Sequence, residues 1–199
     1  MNINDVASPE DYPEDLIGAI FARQRELMKK YHHIESKNGL LQTPDVPVDL
    51  HDRFGQARIK DMAWRMTEEF TEATDAREHR EHYLEELIDA LHFLVELMIL
   101  GDYQPEESLH DWFDDFQEAG PTTPYDVIER IGCACNTLKQ KPWKSSHMLT
   151  DVDKFRSHLV EAWAAFVRLM ITEGLTPEDV YDLYFRKSSV NAFRIRTNY

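Results

Sequence analysis

Apolar residues recur at three- and four-residue steps through most of this chain, the spacing of one helix face. The clearest run is Leu84, Leu87, Ile88, Leu91, Leu94, Val95 and Met98, which predicts a helix over about 81–100 closed by Gly101-Asp102. Upstream, Ile59, Met62, Ala63, Met66, Phe70 and Ala73 form the inner face of a helix over about 54–79. The charged segment from Thr74 to Glu81 either continues that helix or turns into the next. Leu16, Ile20, Gln24, Leu27, Tyr31 and Ile34 predict a first helix over about 13–36, and Asn38-Gly39 suits its end. Pro44 and Pro47 mark residues 40–52 as a loop.

The second half of the chain continues in the same period. Thr123-Pro124 opens a helix over about 124–139 with Val127, Ile131, Ala134 and Leu138 inward. Val152, Phe155, Leu159, Ala162, Trp163, Phe166 and Met170 stripe another over about 151–173, and Gly174 ends it. Thr176-Pro177-Glu178-Asp179 then starts a last helix with a threonine cap and an acidic first turn. The expected fold is an all-α helical bundle in one domain over 1–199. Residues 102–123, acidic and aromatic (Trp112, Phe113, Phe116) and broken by Gly120-Pro121, read as a short helix or a small lid-like insertion.

Composition narrows the function. The 199 residues include 37 acidic and 22 basic ones, a formal net charge of −15. A broad DNA- or RNA-coating surface needs a basic stripe, so a nucleic-acid polymer is excluded as partner. The most apolar segment, Leu84 to Leu100, carries Glu85, Glu86, Asp89 and Glu96 and is no membrane span. The opening residues lack the basic start and apolar run of a signal peptide. Cys133 and Cys135, one residue apart, fit neither a disulfide framework nor a zinc knuckle and point to a reducing, cytoplasmic compartment.

Within the helical faces sit residues that do not belong to a core. Glu86 and Asp89 are three apart and therefore neighbours on one helix, and Glu69 and Glu72 repeat that arrangement on the helix before. Glu68, Glu69 and Glu72 crowd one turn, where like charges repel unless something neutralises them. A solvated acidic face is the plain reading of either cluster alone. Two pairs on successive helices suggest a cage for a hard divalent cation such as Mg²⁺, with Mn²⁺ as a substitute. His92 is then a core histidine supporting the site rather than a ligand, since carboxylate oxygens suit Mg²⁺ better than imidazole. Gln24 is either a boundary residue or a hydrogen-bonding group aimed into a cavity.

On the last helix Lys187, Asn191 and Arg194 stand at i, i+4 and i+7, one face that supplies the anion-binding half of a site. The Lys139-Gln140-Lys141-Pro142-Trp143-Lys144 stretch reverses the local sign of charge and fits contact with an anion, or is a solvated loop with one anchoring Trp. Acidic pairs, a metal and a basic helix together describe a polyphosphate hydrolase. Such a metal binds phosphate oxygens and lowers the pKa of a bound water. Lysine and arginine hold the remaining phosphate oxygens.

These motifs resemble the all-α nucleoside triphosphate pyrophosphatases, the superfamily of the MazG-like proteins and the dimeric dUTPases. Glu69-x-x-Glu72 followed by Glu86-x-x-Asp89 looks like their paired metal motif, and Asp89-Ala90-Leu91-His92-Phe93 is similar to its continuation in the dimeric dUTPases. Lys187, Asn191, Arg194 and Tyr199 are spaced like that branch's C-terminal phosphate motif, and Gln24 with Leu27 like its base-pocket segment. The resemblance implies Mg²⁺-dependent cleavage of a dNTP to the monophosphate and pyrophosphate, by a metal-bound water. It implies Glu72, or alternatively Glu69, as base, with Glu69, Glu72, Glu86 and Asp89 on the metal. It implies substrate contacts from Gln24, Lys144, Lys187, Asn191, Arg194 and Tyr199, with His92 behind them, and a homodimer. Lys139, Trp143 and Lys144 are more loosely similar to a loop of phage members acting on pyrimidine deoxynucleotides, for which the compartment would be the host cytoplasm. Where dimeric dUTPases usually carry an asparagine after Gln-x-x-Leu, this chain has Met28, so dCTP stands beside dUTP as substrate. Two other readings stay open: a MazG-like pyrophosphatase of purine or noncanonical triphosphates, and a non-catalytic acidic helical protein that binds cations or a partner.

Overall fold

The computed structural model describes residues 1–141, 143 and 145–197. Its elements are all helical among the described residues. Apart from a short 3-10 turn at Ile3–Asp5 they are α1 (Leu16–Lys37), α2 (Arg53–Asp75), α3 (Arg80–Leu100), α4 (Leu109–Phe116), α5 (Pro124–Thr137), α6 (Val152–Thr172) and α7 (Pro177–Thr197). The all-α bundle expected from periodicity is the fold found.

Each start is fixed by a side chain that satisfies otherwise orphaned backbone N–H groups. Asp15, Asp52 and Asp151 accept from the first turns of α1, α2 and α6. Ser108 and Asp111 cap α4 reciprocally, and Thr123 does so with Asp126 ahead of Pro124. Thr176 and Asp179 make the same exchange at α7. Helix α2 ends at Asp75, four residues short of expectation. The segment to His79 is a turn, so α2 and α3 run antiparallel as a hairpin. At the other end of α3, Gly101 is required by contact: a Cβ there would lie 2.8 Å from the Phe155 ring and 2.9 Å from Leu159.

Helix α3 is the centre of the bundle. Leu87, Ile88, Leu91, Leu94, Val95 and Met98 are wholly buried, and α1, α2, α6 and α7 all pack on it. The expected inner faces of α2 and α5 are buried throughout, but Ile34, placed on the inner face of α1, is 39% exposed. The apolar stripe of α1 leaves the core one turn before the helix ends. In the 102–123 segment, α4 buries Leu109 and Phe113 and packs on α6. Two loops are stitched together by the buried amide of Gln56, which donates to the Leu50 carbonyl and Thr150 Oγ1 and accepts from the Gln140 N–H.

Candidate active site

The α2–α3 hairpin brings acidic side chains together from opposite directions. Oxygens of Glu69 on α2 and of Glu86 and Asp89 on α3 all lie within 4.8 Å of one another. Glu72, one turn further along α2, stays outside this trio. It is exposed and lines the same cleft, a hollow of about 760 Å³ shared with Glu85, His82, Lys187 and Arg194. Three of the four expected ligands therefore converge and the fourth stands at the rim.

Crowded carboxylates in a partly dry site resist ionisation. Burial, then the charges of Asp89, Glu72 and Glu86, push Glu69 up to about 8 against the pull of Lys187. Burial likewise lifts Asp89 to about 6, although the Lys187 ammonium opposes it. Lys187 is 3% exposed. It reaches from α7 to Glu85 Oε1 at 2.5 Å and Asp89 Oδ2 at 2.6 Å. Burial alone would lower the lysine, but the two carboxylates outweigh it and hold its pKa above the ordinary value. His82 Nε2 meets Glu86 Oε1 at 2.7 Å.

A second cavity of about 240 Å³ opens beside the cleft, with Glu69, Asp89 and Arg194 on the boundary of both. Its walls include Gln24, Tyr31, His92, Phe93, Glu96 and Asn191. Gln24 is 2% exposed and its amide is fixed at both ends. Its Nε2 donates to Glu96 Oε2 at 3.2 Å, while its Oε1 accepts from Tyr184 OH at 2.7 Å and from His92 Nδ1 at 2.9 Å. The His92 ring stacks on Tyr184 with centroids 4.0 Å apart. Burial, with Lys187 and Arg23 nearby, pushes His92 down to about 3, so the ring is neutral.

Of the expected substrate residues, Gln24, Asn191 and Arg194 line the smaller cavity, and Lys187 and Arg194 the larger. Lys144 and Tyr199 lie outside the described residues. Lys139 donates to the Asn136 carbonyl at the end of α5 rather than reaching either cavity, and Trp143 is 78% exposed. Met28, one turn after Gln24 on α1, is buried and lines a separate hollow with Val46, Pro47 and Ile99 rather than the smaller cavity.

Sequence reasoning passed over Glu85, Tyr184, Glu96 and Arg58 as site residues. Glu96 had a readable signal: it follows Asp89 by seven residues and so shares its helix face. Arg58 had none. It sits in the buried stripe of α2 and donates to the Thr43 carbonyl at 2.7 Å and to the His32 ring, with Glu96 at 3.7 Å.

Neither the curated proteins nor the solved structures yield a match to the chain. The dUTPase family does match, over residues 72–199, a span that takes in the α3 carboxylates and α7 and starts after Gln24 and Glu69. With more than half of its length in that match, the chain belongs to the dUTPase family of nucleoside triphosphate pyrophosphatases.

Proposed function

We propose that the protein is a Mg²⁺-dependent pyrophosphatase of pyrimidine deoxynucleoside triphosphates, acting on dUTP and/or dCTP and releasing the monophosphate and pyrophosphate. The observation that carries this is the convergence of Glu69, Glu86 and Asp89 within 4.8 Å at a cleft that also holds Lys187 and Arg194. The donor set fits the metal: three hard carboxylates, crowded enough to raise Glu69 and Asp89, are relieved by a divalent cation. Glu69, Glu86 and Asp89 would hold it, with Mn²⁺ as a substitute. When bound, Mg²⁺ neutralises phosphate charge and acidifies water.

The chain's own groups supply the rest. Arg194 borders both cavities, which supports a role in holding phosphate oxygens where the nucleotide would pass from one into the other. Lys187 can turn its ammonium from Glu85 to a phosphate oxygen while keeping Asp89. Glu72, exposed in the cleft and free of the trio, is the group we assign to take a proton from the attacking water, with Glu69 as the alternative. The smaller cavity receives the base. Its volume of about 240 Å³ lies below the range of about 300–1,000 Å³ for drug-sized ligands.

We further read the protein as a homodimer, supported by Phe54 and Trp64 standing 62% and 64% exposed on α2. Sedimentation analysis tests that part. The free thiols of Cys133 and Cys135 are in keeping with a reducing cytoplasm. No helix among the described residues is long and apolar enough to cross a membrane. Turnover of a dNTP panel with Mg²⁺, resolved into monophosphate, pyrophosphate and free phosphate, tests the activity. Pyrophosphate release from a pyrimidine dNTP, lost in Asp89→Asn, is the expected result. Unchanged turnover in that variant overturns the metal assignment.

A further inference from the structure

The wall of the smaller cavity has a polarity that can be derived atom by atom. An amide oxygen has no hydrogen to give, so the 2.9 Å contact between Gln24 Oε1 and His92 Nδ1 requires the hydrogen on Nδ1. A neutral imidazole protonated there carries a lone pair on Nε2. That atom is buried, belongs to a ring that lines the cavity, and has no hydrogen-bond partner among the described residues. A buried polar atom without a partner is costly, and one facing a cavity is an opening for a ligand donor.

Glu96 adds a second acceptor to the same wall above about pH 7, where its buried carboxyl ionises. The residue is 7% exposed, and among the described residues its carboxylate takes one hydrogen bond, at 3.2 Å from Gln24. A carboxylate has about four lone-pair sites. Arg58 pairs with this carboxylate as an ion at 3.7 Å, beyond hydrogen-bonding distance, while its two terminal nitrogens donate to Thr43 and His32. Turning the Gln24 amide over would set its oxygen against the Glu96 carboxylate, so the ionised carboxylate is what fixes the orientation of the amide.

Two acceptors on one wall call for two donors. Among pyrimidines, the exocyclic amino group of cytosine offers two N–H bonds from a single nitrogen, whereas uracil places a carbonyl oxygen there. We propose that Glu96 sets base choice, acting with His92 Nε2 to favour an amino-bearing pyrimidine, so that the site prefers dCTP to dUTP. This rests on the reading of the smaller cavity as the base pocket of a pyrophosphatase. An oxygen brought against these acceptors would meet repulsion and leave both unpaired, which is how a polar site rejects an analogue most strongly.

The test is kcat/KM for dCTP, dUTP, dTTP and dATP in the wild-type protein and in Glu96→Gln. It is accompanied by binding titrations of dCMP and dUMP, which need no turnover. We expect wild-type preference for dCTP over dUTP of about tenfold or more, the scale of one hydrogen bond to a charged group. Glu96→Gln keeps the shape but turns an acceptor edge into a donor, and should reduce that preference by about tenfold through loss of dCTP. A merely structural role would lower both substrates together. Wild-type preference for dUTP, or an unchanged ratio in Glu96→Gln that is folded by circular dichroism, overturns the inference. Should the variant not fold, the wild-type ratio decides alone. No turnover of any dNTP overturns the pyrophosphatase reading instead, and dCMP binding no tighter than dUMP then overturns the pocket's polarity as well.

Discussion

Replacing Lys187 with Met separates two tasks of the acidic cleft, holding the fold and, under the proposed function, holding a cation. The lysine is 3% exposed and bridges Glu85 and Asp89 at 2.5 and 2.6 Å. Removing one partner of a buried ion pair leaves the other charge uncompensated, a loss of about 3–5 kcal/mol. For a chain of this size each kcal/mol moves Tm by roughly 2–4 °C, so Lys187→Met should melt roughly 6–20 °C lower in chelator near pH 8. The loss has a ceiling, because a carboxylate deprived of its ammonium can take up a proton. Near pH 5, below the pKa of about 6 that Asp89 has even with the lysine present, the deficit should shrink. Millimolar Mg²⁺ should restore more stability to Lys187→Met than it adds to the wild type, since the cation then faces no competing ammonium. Saturation at a hundred times Kd would contribute about 2.7 kcal/mol. Thermal unfolding by circular dichroism at both pH values, with chelator and with Mg²⁺, reads all three effects. A Tm within about 1 °C of wild type in chelator near pH 8 would refute the ion-pair account of Lys187.

Metal-free stability should fall as pH rises from about 4.5 to about 8. Glu69 and Glu96 have folded pKa values of about 8 and about 7, raised from 4.5 mainly by burial, so their stabilisation is full below about pH 4.5 and is lost as pH rises through the folded values. His92 and His32, pushed down to about 3 and about 4 chiefly by burial, charge more readily in the unfolded chain below about pH 6.5 and blunt the slope there, so the fall is steepest above 6.5. Denaturant midpoints across pH in chelator check the slope, and Glu69→Gln should flatten it. Glu72→Gln should lower kcat by roughly 10²–10⁴ while leaving Mn²⁺ affinity near wild type, as fits a proton acceptor outside the trio. If calorimetry shows Mn²⁺ affinity falling as far as in Glu86→Gln, Glu72 is a ligand instead. Gln24→Ala strands Glu96, His92 and Tyr184 at once, at about 1–3 kcal/mol for each unpaired group. Urea unfolding should show it well below Tyr184→Phe, which removes a single donor.

The fold was legible because its code is local. Helix period, caps and breakers are written in neighbouring residues, and the inner faces of α2, α3 and α5 could be listed residue by residue. The errors lie where tertiary contact decides. Ile34 carries the period of α1 beyond the point where a neighbour remains to cover it. The end of α2 was drawn four residues late because Thr74 to Glu81 is as compatible with helix as with turn, and only α3 folding back requires the turn.

The site divides the same way. Glu69, Glu86 and Asp89 could be paired from spacing, because two antiparallel helices leave few places for carboxylates to meet. Glu72 obeys the same spacing and still falls outside the trio, exposed in the cleft that the α3 carboxylates line. Much of the smaller cavity's wall was hidden for a deeper reason. Glu96 looked like one acid among 37, and Arg58 like an interruption of a helix face. Their meaning depends on which group each one fails to satisfy. Arg58 donates to Thr43 and His32, from a loop and another helix, and meets Glu96 at ion-pair rather than hydrogen-bond distance. Spacing shows where a polar residue points. Whether it arrives as a donor, an acceptor or a spent group is settled only by counting the partners that reach it across the fold.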